Sequence, residues 1–137
     1  MKATDNLLVL KNTSLVLAIG WTIIIAILSL IKVNDLPSLG FSLSNFDKYV
    51  HFTFHFIFTM LWGFYFWMKI NKLGLKSIRN IVIISFCYGI LIEILQELFT
   101  TTRHADLKDV VANCTGAFLA FGVFVFIKKT NKSRKKV

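Results

Sequence analysis

Four apolar stretches, separated by short polar connectors, divide the chain into four helix-length segments. Thr13–Ile31 carries no charge over nineteen residues, close to the ~20 that an α-helix needs to cross the hydrocarbon core of a bilayer. It is too long for a signal-peptide core and lacks a small-residue cleavage site, so it reads as a signal anchor. Lys32–Phe46 is a loop marked by Asn34, Asp35, Pro37 and Gly40, and it ends in Ser44-Asn45-Phe46-Asp47, a helix-start pattern. A second helix is expected over about Asp47–Met68, a third over Asn80–Phe99 and a fourth over Leu107–Ile127. Lys69–Arg79 and Thr100–Asp106 connect them. The expected domain plan is a short N-terminal segment (1–12), a membrane domain (13–127) and a basic tail (128–137).

What breaks this apolar pattern is concentrated in a few places. Asp47, Lys48, His51 and His55 occupy the first turns of helix two, which is otherwise rich in Phe and Trp. Glu93, Gln96 and Glu97 lie in the last third of helix three. Arg103, His104 and Asp106 follow in the connector, and Asp109 and Asn113 open helix four. Ionisable groups inside apolar spans are expensive, so they need partners, water or a function. Their spacings are those of single helix faces: Asp47, His51 and His55 recur every fourth residue, Glu93 neighbours Gln96 and Glu97, and Asp109 neighbours Asn113.

Composition agrees with a membrane protein: the chain is 55% hydrophobic with one proline, and mean hydropathy is +0.66. The net charge of +9 is distributed as a topology signal. The N-terminal segment, the second connector and the tail hold two, four and six Lys/Arg, whereas the other face holds Lys32, Lys48, Arg103 and Lys108. The positive-inside bias then sets both termini in the cytoplasm. No folded basic face is suggested, so nucleic acid is not an expected partner. Cys87 and Cys114 each lie within an apolar run and read as buried fillers rather than a disulfide or metal pair.

This topology puts the start of helix two, the end of helix three and the start of helix four on the same, outer side. Lys48, His51, Glu93, Gln96, Arg103, Asp106, Asp109 and Asn113 are therefore expected to form one network opening outward, with Asp47 beside it. Glu93 would lie roughly 9 Å below the outer end of its helix. Ala112, Gly116 and Ala120 form a small-residue ladder on helix four, and Ser85 and Gly89 a shorter one on helix three, which permits close helix packing. Asp106 and Asp109 also stand where acidic residues stabilise a helix start by about 0.3–1 kcal/mol, so capping and function are both open for them. His51 and His55 are four apart, but the Phe-rich surroundings favour aromatic packing for His55. His51 with Glu and Asp could also bind a metal, a lesser reading for which no ligand set is assigned, and nothing in the sequence names a cofactor.

The residues Asp47-Lys48-x-x-His51-Phe52, Gly89-x-x-x-Glu93-x-x-Gln96 and Arg103-x-x-Asp106-x-x-Asp109-x-x-x-Asn113-x-x-Gly116 resemble the signature of VanZ-like membrane proteins. The resemblance spans about Phe46–Phe126, with the first helix similar only as an apolar span. It implies an all-α bundle of four transmembrane helices in the bacterial cytoplasmic membrane. It also points toward the cell envelope, since the family takes its name from a member linked to teicoplanin resistance.

Three function classes remain open on this sequence. A binder would hold the head group of a lipid-linked envelope component or lipoglycopeptide through Lys48, Arg103, Gln96, Asp106, Asn113 and Asp47. An intramembrane hydrolase or transferase would use Glu93, His51 and Asp109 as its catalytic groups. A proton-coupled transporter would relay protons through Glu93 and His51 and would need a homodimer to build a pathway. Expected partners are membrane lipids or lipid-linked envelope precursors. The topology is testable by cysteine labelling in a background lacking Cys87 and Cys114: probes at Leu39 and Thr101 should react from outside, and probes at Gly74 and Ser133 only from the cytoplasmic side.

Overall fold

The computed structural model describes residues 2–30, 43–70, 74–100 and 106–134. They form four helices: α1 (Lys2–Leu30), α2 (Leu43–Ile70), α3 (Leu75–Phe99) and α4 (Leu107–Arg134). No strand occurs among the described residues. The helices are longer than the apolar runs. α1 begins at Lys2 and α4 continues to Arg134, because Lys, Arg and Asn tolerate helix and no Pro or Gly intervenes to stop it. α2 begins at Leu43, so Asp47 lies inside the helix rather than at a Ser44-capped start. α3 begins at Leu75, after an extended Gly74. Arg103, His104 and the first connector lie outside the described residues.

Three helices contain spans long and apolar enough to cross a membrane: Asn6–Leu30, Leu75–Phe99 and Leu107–Asn131. α2 matches them in length at 28 residues and packs against all three, most extensively against α4. Its aromatic and histidine content sets it apart from the aliphatic spans. Exposed aliphatic and aromatic residues such as Ile23 and Ile27 on α1, Ile84 and Leu91 on α3, and Phe118 and Leu119 on α4 form an apolar exterior suited to lipid, a surface that soluble monomers rarely expose. The arrangement is an all-α membrane bundle with α2 at its centre.

Aromatic and small residues set the contacts of α2. Ile25, Phe58 and Ile92 join α1, α2 and α3 in one apolar cluster. Phe58 stacks on Tyr88 at 5.4 Å, and Trp21 meets Phe54 edge-on while its indole N–H donates to the Phe54 carbonyl at 3.0 Å. Trp21 is thus an anchor between α1 and α2. Thr22 ties the same three helices, accepting from Trp62 Nε1 at 3.2 Å and, through its carbonyl, from the Tyr88 hydroxyl at 2.6 Å.

On the other side, Gly116 brings α4 against the backbone of α2. A Cβ there would collide with the Phe52 carbonyl and approach Phe56 N to 3.0 Å. Ala120 of the small-residue ladder is fully buried beside it, as is Ala117, whereas Ala112 is half-buried. At Gly122 an added Cβ would meet nothing within 4 Å. Gly116→Ala should therefore destabilise the bundle by about 1–3 kcal/mol through overpacking. Gly122→Ala should be neutral or slightly stabilising, as expected of an Ala in an open helical position. Equilibrium unfolding in detergent micelles measures both.

Candidate functional site

The α3–α4 junction positions the first part of the site. Asp106 precedes α4 and caps it: its Oδ1 accepts the Lys108 N–H at 2.8 Å, and its carbonyl accepts the Asp109 and Val110 N–H groups at 3.0 and 3.3 Å. The backbone N–H of Asp106 donates to Glu93 Oε2 at 3.2 Å. Thr100 closes α3, its N–H and hydroxyl both donating to the Gln96 carbonyl. Glu93, one layer inside the bundle, thus holds the turn that starts the next helix.

From Glu93 the site continues onto α2 and α4. Its other oxygen, Oε1, lies 3.7 Å from His51 Nδ1, and that nitrogen meets Asn113 Oδ1 at 3.2 Å. An amide oxygen can only accept, so His51 Nδ1 carries the proton. The opposite ring nitrogen, Nε2, faces Asp47 Oδ1 at 4.0 Å. Lys48 Nζ lies 3.9 Å from Asp106 Oδ2, closing a ring of side chains from α2 to the head of α4. His51, Glu93, Asp109 and Asn113 are 3%, 4%, 6% and 1% exposed, whereas Asp47, Lys48 and Asp106 form a partly open rim. The polar layer therefore runs from the end of the bundle inward.

Burial leaves some of these groups unsatisfied. Among the described residues, Glu93 Oε1, Asp109 Oδ1 and Asn113 Nδ2 have no hydrogen-bond partner. Burying a polar atom without a partner costs roughly 1–3 kcal/mol, more for a charged group. Asp47, His51 and Asp109 bring one ligand-type atom each to within 4.8 Å of one another. Beside this layer, Lys48, Leu107, Lys108, Val111 and Ala112 line a largely apolar groove of about 410 Å³ between α2 and α4.

Measured against the sequence expectation, Asp47, Lys48, His51, Glu93, Asp106, Asp109 and Asn113 do come together. Gln96 is buried but turns away: its amide donates to the Ser29 carbonyl of α1 at 2.9 Å, so it joins helices instead of the carboxylate layer. Arg103 lies outside the described residues, and Glu97 is exposed. Asp106 takes the capping role, while Asp109 remains buried without one. His55 packs between Phe58 and Tyr88 at centroid distances of 6.1 and 6.2 Å, and also shares a 2.8 Å hydrogen bond with Ser85. That second polar layer, with Thr59 buried near it in the sequence of α2, was not anticipated. Its signal was Ser85 standing in the small-residue ladder of helix three, where a hydroxyl can face a neighbouring helix.

A helical bundle with an apolar exterior and a buried carboxylate–histidine layer at one end defines a polytopic membrane protein with a polar layer inside its bundle. The sequence profile of one such family, VanZ/LLP1, matches residues 5–128, and the chain belongs to that family. The match takes in α1 as well as the motif-bearing helices. No curated protein and no solved structure matches the chain.

The junction gives a direct test. Glu93→Ala leaves the Asp106 N–H without its acceptor and should cost about 1–3 kcal/mol. Glu97→Ala, on the exposed face, should stay within about 0.5 kcal/mol of wild type. Glu93→Gln retains a carbonyl oxygen for the Asp106 N–H and should recover part of the loss, which unfolding curves of the three variants will resolve.

Proposed function

We propose that this protein works at the extracytoplasmic face of the bacterial cytoplasmic membrane, with both termini inside, and recognises the anionic head group of a lipid-linked envelope component or a teicoplanin-type lipoglycopeptide. The observation that carries this reading is Lys48. It lines the α2–α4 groove together with Lys108 and also reaches Asp106 at the rim of the buried layer. Two lysines among Leu107, Val111 and Ala112 suit a phosphate or carboxylate whose acyl chain continues along an apolar floor. A freely soluble ligand has no use for that floor. Arg103 is a further candidate for the anion by residue type, since a guanidinium fork matches carboxylate and phosphate.

A second reading is an intramembrane hydrolase or transferase. It is favoured by one observation, the placement of His51 between Glu93 and Asp47. There His51 or Glu93 would accept a proton from an attacking water or hydroxyl as general base, and Lys48 would stabilise the developing negative charge.

The two readings separate on the same samples. A charge-assisted contact contributes about 1.5–3 kcal/mol, so Lys48→Ala should retain roughly ten-fold to hundred-fold less anionic amphiphile when purified protein is examined by lipid mass spectrometry. Glu97→Gln should match wild type. Binding without conversion in wild type supports the recognition reading, whereas a product that disappears in Glu93→Gln while binding persists supports the enzyme. If Lys48→Ala and Arg103→Ala retain the same lipids as wild type and leave teicoplanin susceptibility and envelope integrity unchanged, the recognition reading fails.

A further inference from the structure

We propose that Asp47, His51 and Asp109 form a site for a divalent transition-metal cation of the zinc or manganese class. The three side chains already converge, one ligand-type atom each, within 4.8 Å. Ligand atoms around a zinc ion at 2.0–2.2 Å stand about 3–4 Å apart, so only small side-chain adjustments separate this arrangement from a coordinated one. An imidazole joined to two carboxylates suits zinc or manganese better than calcium or magnesium, which favour all-oxygen shells.

Two features point to a cation at this place. The first is an orphaned oxygen: Asp109 is 6% exposed, and its Oδ1 lacks a hydrogen-bond donor among the described residues. The second is the orientation of His51. Asn113 Oδ1 takes the Nδ1 proton, which turns Nε2, the ring's other nitrogen, toward the Asp47 carboxylate at 4.0 Å. The Asn113 carbonyl thereby performs the positioning task that a carbonyl or carboxylate performs behind most metal-bound histidines.

No ligand spacing along the chain announces the site because the donors come from two helices, Asp47 and His51 from α2 and Asp109 from α4. The proposal does not rest on the lipid reading. It gives that reading a mechanism, since a cation with an open coordination position would draw a phosphate or carboxylate oxygen from the neighbouring Lys48–Lys108 groove. It also bears on the enzyme reading: His51 Nε2 cannot hold a metal and accept a proton at once, so a general base would have to be Glu93.

The test uses full-length protein carrying a tag without histidines, purified in detergent, exposed to Zn²⁺ or Mn²⁺ and dialysed against metal-free buffer. Elemental analysis should find about one ion per wild-type chain, as for a single three- or four-ligand site, and thermal unfolding should shift upward with metal and return with chelator. Asp109→Asn and His51→Gln should weaken retention roughly ten-fold or more, and Asn113→Ala by about ten-fold to hundred-fold through His51. Glu97→Gln should bind as wild type. Asp47→Asn, at the partly open rim, supplies the same test should the buried variants fail to fold. Metal-free wild type with no thermal shift overturns the proposal, as does retention that is unchanged in Asp47→Asn or in folded Asp109→Asn. A wild-type protein that holds metal but copurifies with no anionic amphiphile overturns the lipid reading and leaves the metal site standing.

Discussion

The hydrogen bond from the Asp106 backbone to Glu93 Oε2 is the constraint on which the polar end of the bundle depends. A carboxylate one layer inside an apolar helix has few affordable partners, and Glu93 takes the N–H at the residue that begins α4. That choice fixes where the helix starts. It places the Asp106 side chain to cap Lys108 and to meet Lys48 from α2, and it sets the register that carries Asp109 and Asn113 inward. Asn113 then orients His51. Each link converts a buried polar atom from a cost into a positional restraint.

The α2–α4 contact is the apolar counterpart of that latch. Gly116 lets the α4 helix reach the backbone of α2 at Phe52, one residue after His51, so the close approach and the polar layer are set by the same stretch of α2. In a bilayer, where apolar burial gives little net drive between helices, such backbone proximity supplies dispersion contacts. It also determines how near Asp109 can stand to Asp47 and His51. Packing and site geometry are therefore coupled through neighbouring residues on both helices.

Helix count, the apolar exterior and the membership of the polar layer were legible because each rests on periodicity. An i, i+4 spacing identifies residues that share a face, and Asp47 with His51, or Asp109 with Asn113, needed nothing more. The spacing does not say which neighbour that face meets. Gln96 lies three residues from Glu93 and shares its side of α3, yet the rotation of about 60° between positions i and i+3 turns its amide to Ser29 of α1. Helix ends were legible only where a side chain enforces them, as Asp106 does for α4. The Lys-rich extension to Arg134 carries no stop signal, and hydropathy marks where a span leaves the membrane, not where the helix ends.

His51 and His55 stand one turn apart on α2, and their surroundings assign them different work. An added Cβ at Gly89 would lie 2.8 Å from Asn113 Nδ2 and 3.1 Å from His55 Cε1, so the absence of a side chain there lets the two layers abut. His55 is enclosed by Phe58, Tyr88 and Ser85, with no charged group among those contacts. It fixes the rotation of α2 against α3. His51 has an amide behind it, carboxylates on both sides, and a route through Asp47 and Lys48 to the partly open rim. Rotating α2 by even a fraction of a turn would withdraw His51 from Asn113, and the inner histidine opposes that rotation. The aromatic wealth of α2 thus does more than fill the bundle: it holds one imidazole in place among the charged groups around it.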